Sequence, residues 1–149
     1  MFVPFDSLPD TARVWVYQAN RTLGAEEKKT TSSLAEEFLQ QWEAHGAPLK
    51  SSFMLSHDQF LIIGVDERAN PVTGCSTDAQ VRFVQLLQQR IEVDFFDRTQ
   101  VALLVDNDIV LVPLNALRQK NVTVPVEEST VTFNNLVTTK AQLTSEWMQ

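Results

Sequence analysis

The stretch FLIIGV, residues 60–65, is the most apolar part of this sequence and decides its fold. In a β-strand, successive side chains point to opposite faces of the sheet, so Phe60 and Ile62 share one face while Leu61 and Ile63 share the other. Both faces are apolar, which predicts a central strand buried on both sides. Helices are expected to cover one face. The C-terminal segment, a second copy of the chain or a lid over a pocket would cover the other.

Further strands are predicted around this central one. Residues 49–56 alternate in part, and His57-Asp58 separates them from the apolar run, which predicts a hairpin. Upstream, residues 14–17 are β-branched and aromatic and predict the first strand. Downstream, residues 100–105 and 109–112 predict two strands joined by a turn.

Two capping boxes predict where helices begin. In the first, Ser33 is followed three residues later by Glu36, which predicts a helix from Ser33 towards Gly46. The polar residues 22–31 before it are interpreted as a loop, with a short helical start as the alternative. In the second, Thr77 is followed by Gln80, which predicts a helix over 77–91.

The resulting order is β-α-β-β-α-β, the ferredoxin-like pattern of an antiparallel sheet with both helices on one face. The sequence therefore predicts one α+β domain over residues 1–149, with a core at about 12–113 and a C-terminal extension at about 114–149. Within the extension we expect a helical turn near 114–120, a run at 122–126 that Pro125 interrupts, a short strand at 131–133 and a helix near 138–147.

Composition excludes several classes of function. The net charge is −7 and the 12 basic residues are scattered, whereas nucleic-acid binding needs clustered cations. Neither nucleic acid nor a membrane is an expected partner, and no stretch is long and apolar enough to span a bilayer. The single cysteine and the lack of a signal-peptide pattern predict a cytoplasmic protein.

Cys75 is the first candidate catalytic residue. It precedes the predicted helix at Thr77, and a helix N-terminus favours the thiolate form of a nearby cysteine. Asp78 opposes that effect, and a small, partly buried residue in a tight turn is the simpler interpretation. His45 is the second candidate, as a neutral-pH acid or base, against the simpler interpretation of a histidine near a helix C-terminus.

The candidate ligand-binding residues are Asn134, Asn135 and Asp66. The two asparagines lie in a polar run between apolar residues, which is typical of either a recognition loop or a turn before a helix cap at Thr138 or Thr139. Asp66 follows the central strand directly, and Arg98 or Arg82 is its expected partner in an ion pair. The few Cys and His residues have no metal-ligand spacing, and no glycine loop can hold a phosphate, so neither a metal site nor a bound cofactor is predicted.

Three segments together resemble a family of uncharacterised bacterial proteins of about this length. They are FLQQWEAHG (38–46), GCSTDA (74–79) and FNNLVTTK (133–140), and the resemblance extends over residues 13–140. Members of that family are often automatically labelled "ABC transporter ATPase". This sequence lacks the P-loop that such an ATPase requires, and the resemblance implies no catalytic residues.

The two-sided apolar strand favours a non-enzymatic binding or assembly module that self-associates through its sheet, as a homodimer or with a protein partner. The alternative is a small-molecule or thiol-dependent enzyme with a site near Cys75. These two hypotheses predict different uses of the surface. The first requires an unoccupied sheet surface, whereas the second requires Cys75, His45 and the asparagines to approach one cavity.

Overall fold

The computed structural model describes residues 1–118 and 130–149, and its mixture of helices and antiparallel strands confirms the α+β class. The strands are β1 (Arg13–Gln18), β2 (Glu43–Ala44), β3 (Ala47–Pro48), β4 (Lys50–Ser56), β5 (Phe60–Asp66), β6 (Gln100–Val105), β7 (Asp108–Pro113) and β8 (Val131–Thr132). The helices are α1 (Ala25–Gln41), α2 (Gly74–Ile91), α3 (Leu114–Arg118) and α4 (Lys140–Glu146). The run at 122–126 lies outside the described residues.

The apolar run forms β5, the central strand of an antiparallel sheet with the order β1-β5-β4. The hairpin expected at His57-Asp58 is present, with positive φ angles of 55° and 53° at its turn. β6 pairs instead with β7 and β8 in a second sheet. A ferredoxin-like sheet would pair its last strand with β1, so the ferredoxin-like topology is not confirmed.

Both helices pack on the same face of the β5 sheet. Leu61, Ile63 and Val65 on that face form one buried cluster with α1 and α2 residues such as Leu39 and Leu87. All five of these side chains are fully buried. The alternation within β5 therefore works as the sequence predicts, with one row of side chains facing the helix layer.

The C-terminal segment covers the opposite face of the sheet. Phe60 and Ile62 form a second buried cluster with Phe133, Val137 and Trp147. The ring centroid of Phe60 lies 4.8 Å from that of Phe133 and 5.0 Å from that of Trp147. The C-terminal segment of the same chain thus covers this face of the sheet, and a second copy of the chain is not needed to bury Phe60 and Ile62.

The two main helices begin earlier than the sequence patterns predict. α1 starts at Ala25, because Glu27 reaches back to accept a hydrogen bond from the Gly24 N–H at 2.8 Å. The predicted loop over 22–31 and the predicted start at Ser33 are therefore wrong. The stripe of α1 that faces the core includes the fully buried Thr31, a polar residue that an apolar periodicity does not detect.

Candidate functional site

Cys75 lies in the first turn of α2, with its side chain exposed. The helix is capped by Thr73, whose Oγ1 accepts from the Ser76 N–H at 3.1 Å while the Thr73 N–H donates to Ser76 Oγ at 2.7 Å. The predicted start at Thr77 is therefore wrong, and Cys75 is part of the helix instead of the loop before it. Asp78 consequently lies one turn further along the helix, so it is not in the first turn.

His45 lies at the tip of the β2–β3 hairpin. His45 and Gly46 have φ angles of 55° and 73°, which are the positive values that a two-residue type I′ turn requires. The Asn70 amide donates to the carbonyls of Ala44 and Ala47, both at 3.0 Å, and so fixes the hairpin. The predicted continuation of the first helix to Gly46 is wrong, since α1 ends at Gln41.

The hairpin and the first turn of α2 bring His45 and Cys75 to the same cavity, which has a volume of about 450 Å³. Trp42 forms one wall, and its indole N–H donates to the carbonyl of Ser76 at 2.9 Å. That bond joins the end of α1 to the start of α2. Asn134, which the enzyme hypothesis would bring to the same cavity, does not line it.

Asp66 closes β5 and pairs with Arg68. The two carboxylate oxygens accept from the guanidinium at 3.0 and 2.8 Å, and this pairing holds the pKa of Asp66 below its ordinary value. The predicted partners, Arg82 and Arg98, are not the ones it meets. Asp66 lines neither the Cys75 cavity nor the groove described below, so its described contacts are those of a local ion pair.

The two asparagines hold the C-terminal segment in place. Asn134 Oδ1 accepts from the Leu136 N–H at 3.2 Å, which is a turn contact. Asn135 donates to Gln18 Oε1 at 2.9 Å and accepts from the Trp147 indole at 3.0 Å. Thr139 caps α4, so the turn-and-cap interpretation describes this segment correctly.

Asn135 also lines a second cavity, a groove of about 550 Å³ along the outer side of β1. Residues 95–98, which follow α2, form one flank, and residues 135–138 form the other. β1 provides the base, from Arg13 to Gln18. The groove therefore joins three parts of the chain that are distant in sequence.

The backbone of Val16 is unpaired on this side. Alternate residues of an antiparallel strand point their N–H and C=O groups to the same edge. Val14 donates outward to the Thr138 carbonyl at 2.9 Å, and Asn20 donates outward to the Asp94 carbonyl at 3.0 Å. Val16 lies between them with the same orientation, and within residues 1–118 and 130–149 its outward N–H and C=O have no partner.

Sequence reasoning missed this open edge. The pattern of residues 14–17 correctly predicts a strand, but a strand pattern does not reveal which edge lacks a partner. Trp42 and Asn70 were also missed as residues that shape the Cys75 cavity. The only signal for Trp42 was its place in the apolar stripe of the first helix.

Tyr17 lies on the same strand, and its titration tests the packing beneath the groove. Burial raises its pKa to about 12, and its hydroxyl donates to Gln80 Oε1 at 2.6 Å. The pKa of Tyr17 in the folded protein exceeds the unfolded value of 10. The stabilisation that the buried, neutral phenol contributes is therefore complete below pH 10 and is lost as the pH rises towards 12. The expected loss is at most about 2.7 kcal/mol.

Tyr17 is the only tyrosine, so near-ultraviolet absorbance follows this one phenol. Alkaline unfolding of Tyr17→Phe is the control, since this variant should lack that part of the pH dependence. An absorbance midpoint near pH 10 in the folded protein would contradict the burial argument.

Among the described residues, a metal site would require a cluster of ligands, and a membrane span would require a long apolar helix. No three His, Cys, Asp or Glu residues among them come together as metal ligands. None of the described helices is long and apolar enough to cross a membrane. Comparison with protein-family models, curated proteins and solved structures found no match to this chain.

Proposed function

We propose that this chain is a binding module that takes up an extended peptide as an additional strand along the outer edge of β1. The observation that carries the proposal is the unpaired backbone of Val16 at the base of the groove. Exposed sheet edges bind peptides through main-chain hydrogen bonds, and pockets on either side select alternate side chains.

The strand order supports a vacant strand position on β1. The antiparallel order β1-β5-β4 corresponds to three strands of a ferredoxin-like sheet, whose last strand would pair with β1. Here β6 pairs with β7 and β8 instead of with β1. We therefore propose a ferredoxin-like plan in which the ligand takes the position of the fourth strand.

Apolar side chains lie on both sides of the strand position in the groove. Tyr17 faces the helix layer, where its ring lies 5.8 Å from that of Phe96. Val16 packs towards the opposite layer. On that side Leu136 also lines the groove and is 84% exposed. Because side chains of a paired strand alternate between these two layers, a peptide of β-branched residues, which presents methyl groups to both layers, suits the groove.

A short peptide fits this edge better than a second folded copy. The sequence suggested self-association through a sheet face, but the chain's own C-terminal segment packs on that face. The edge of β1 is recessed between residues 95–98 and residues 135–138, which would collide with the same flanks of a second copy. Sedimentation at micromolar concentration is expected to find a monomer. A dimer that Val16→Pro abolishes would assign the edge to a second copy instead.

Two N-methylated peptides give the sharpest test of main-chain pairing. The probe is an acetylated and amidated hexapeptide of alternating threonine and valine, titrated by calorimetry. One version is N-methylated on every threonine and the other on every valine, so that each blocks one edge of the strand. We expect one version to lose at least about tenfold in affinity, because a hydrogen bond to Val16 is removed, while the other binds normally. Equal losses in both, or no binding of the parent peptide, would overturn the proposal.

Val16→Pro tests the protein side of the same bond. Proline removes the outward N–H but leaves the β1–β5 ladder intact, since an edge strand tolerates proline where its N–H faces away from the sheet. We expect peptide affinity to fall at least about tenfold. Val16→Thr is the matched control, because it keeps both the N–H and a β-branched side chain. Normal peptide binding by a folded Val16→Pro variant would exclude pairing at Val16.

A thiol-dependent enzyme is the second candidate function, and the observation in its favour is that His45 and Cys75 line one cavity. Cys75 lies in the first turn of an 18-residue helix with its side chain exposed, and His45 adds an imidazole to the lining of the same cavity. His45 is exposed at a hairpin tip that Asn70 fixes, so it is accessible to a substrate in the cavity.

The rate of alkylation by iodoacetamide at neutral pH tests this candidate. We expect Cys75 to react faster than free glutathione, and His45→Gln to reduce that rate towards the glutathione value. His57→Gln is the matched control, because His57 lies in the β4–β5 turn and does not line the cavity. A rate no higher than that of glutathione, or one unaffected by His45→Gln, would remove this candidate.

A further inference from the structure

We infer that the peptide held along β1 is the carboxyl-terminal tail of a partner, with its terminal carboxylate at Arg13. The inference rests on the proposed function and adds the identity of the ligand's end. It follows from the direction of pairing, from the point at which the open edge stops and from the charges at that point.

The direction follows from the pairings that β1 already makes. β1 is antiparallel to β5, and on its outer side Arg13 forms an antiparallel bridge with Thr139. A ligand strand that is also antiparallel to β1 would lie in the groove as an extension of residues 138–140. The carboxyl end of an antiparallel ligand lies at the amino end of β1, next to Arg13.

The open edge stops at that end. The Thr138 carbonyl accepts from the Val14 N–H, and the Lys140 N–H donates to the Ala12 carbonyl, both at 2.9 Å. The chain's own segment therefore occupies the edge from Ala12 to Val14. A ligand strand that runs along Val16 in this direction must end or turn away where Thr138 begins, and a chain terminus needs no turn.

Positive charge without an acidic partner lies at the same end. The Arg13 guanidinium is 4.7 Å from the centroid of the Trp15 ring, and it forms no ion pair with any described residue. The Lys140 ammonium donates to the carbonyl of Leu8 at 2.6 Å and also makes no ion pair in the described part of the chain. An arginine of this kind suits bidentate recognition of a carboxylate.

The acidic residue that lines the groove is occupied elsewhere. Asp97 lies on the flank that follows α2, and its carboxylate accepts from the Thr99 N–H at 2.8 Å and from the Thr99 hydroxyl at 2.6 Å. It therefore neutralises no charge near Arg13 through a direct contact. Arg98, beside Asp97, is a second cation of the groove that forms no ion pair with a described residue. The assignment of the carboxylate to Arg13 therefore follows from the direction of pairing and from the stop at Thr138, together with the unpaired guanidinium.

The experiment compares three versions of the threonine–valine hexapeptide. One has a free C-terminal carboxylate, one has a C-terminal amide, and one is amidated but ends in glutamate. We expect the free acid to bind about tenfold more tightly than either amide. Arg13→Gln should remove that preference and leave the affinity of the amide unchanged, while Arg13→Lys should retain part of it. Arg90→Gln, on the exposed side of α2, is the control for a general loss of charge.

The outcomes separate the two proposals. Equal binding of the free acid and the plain amide would overturn the terminal-carboxylate inference and leave pairing along β1 standing. Binding of the glutamate-ended amide as tightly as the free acid would also overturn it, because an acidic side chain would then suffice. If none of the three peptides binds, the proposed function itself fails.

Discussion

Replacement of Phe60 by alanine is expected to lower the free energy of unfolding by about 3–5 kcal/mol. Phe60 is fully buried at the point where the central strand meets the C-terminal segment. Its ring lies 4.8 Å from that of Phe133 and 5.0 Å from that of Trp147, so its removal leaves a cavity between the sheet and its cover. Chemical denaturation followed by circular dichroism measures the effect.

Leu86→Ala is the matched control for Phe60→Ala. Leu86 is a large apolar residue that is 56% exposed, and its truncation should change stability by no more than about 0.5 kcal/mol. A double-mutant cycle between Phe60 and Trp147 should give a coupling energy of about 0.5–1.5 kcal/mol. A loss below about 1 kcal/mol for Phe60→Ala would contradict the description of the C-terminal segment as a packed cover.

Trp42→Ala is the second substitution with a large expected effect, about 3–5 kcal/mol of destabilisation. The Trp42 side chain is buried between the two helices. Its ring contacts those of Phe38 and Trp15 at 5.6 and 6.2 Å, and its indole N–H donates to Ser76. Thermal and denaturant unfolding measure the loss.

Trp42→Phe keeps part of the packing at this position and removes the hydrogen bond. We expect a loss of about 0.5–1.5 kcal/mol from the bond to the Ser76 carbonyl and a further loss from the smaller ring, with a total below that of Trp42→Ala. If Trp42→Phe were as destabilising as Trp42→Ala, ring packing would not be the main contribution of this residue.

The sequence predicted the individual strands better than the helices, for a physical reason. The alternation in β5 and the turns at His57 and Asp106 are local signals, and each corresponds to a real strand or hairpin. The start of α1 depends on Glu27 reaching back to Gly24, in a stretch with few apolar residues. A polar helix that buries Thr31 looks like a loop to any periodicity argument.

The candidate sites depended on tertiary structure to different degrees. Cys75 and His45 were identified by residue type, yet only the β2–β3 hairpin and the early start of α2 bring them to one cavity. Asn135 was identified as a residue of interest, but its contacts with Gln18 and Trp147 could not be inferred from local sequence. The open edge at Val16 depends on what pairs on both sides of a strand, which no local pattern contains.

The bridge between Arg13 and Thr139 also has a consequence for the rate of folding. It joins segments separated by most of the chain, and the entropy of closing so long a loop is lost before the contact is gained. Contacts of such high sequence separation slow the search for the native state. We therefore expect the helices and the β4–β5 hairpin to form early, and the pairing of residues 138–140 with β1 to be among the last steps of folding.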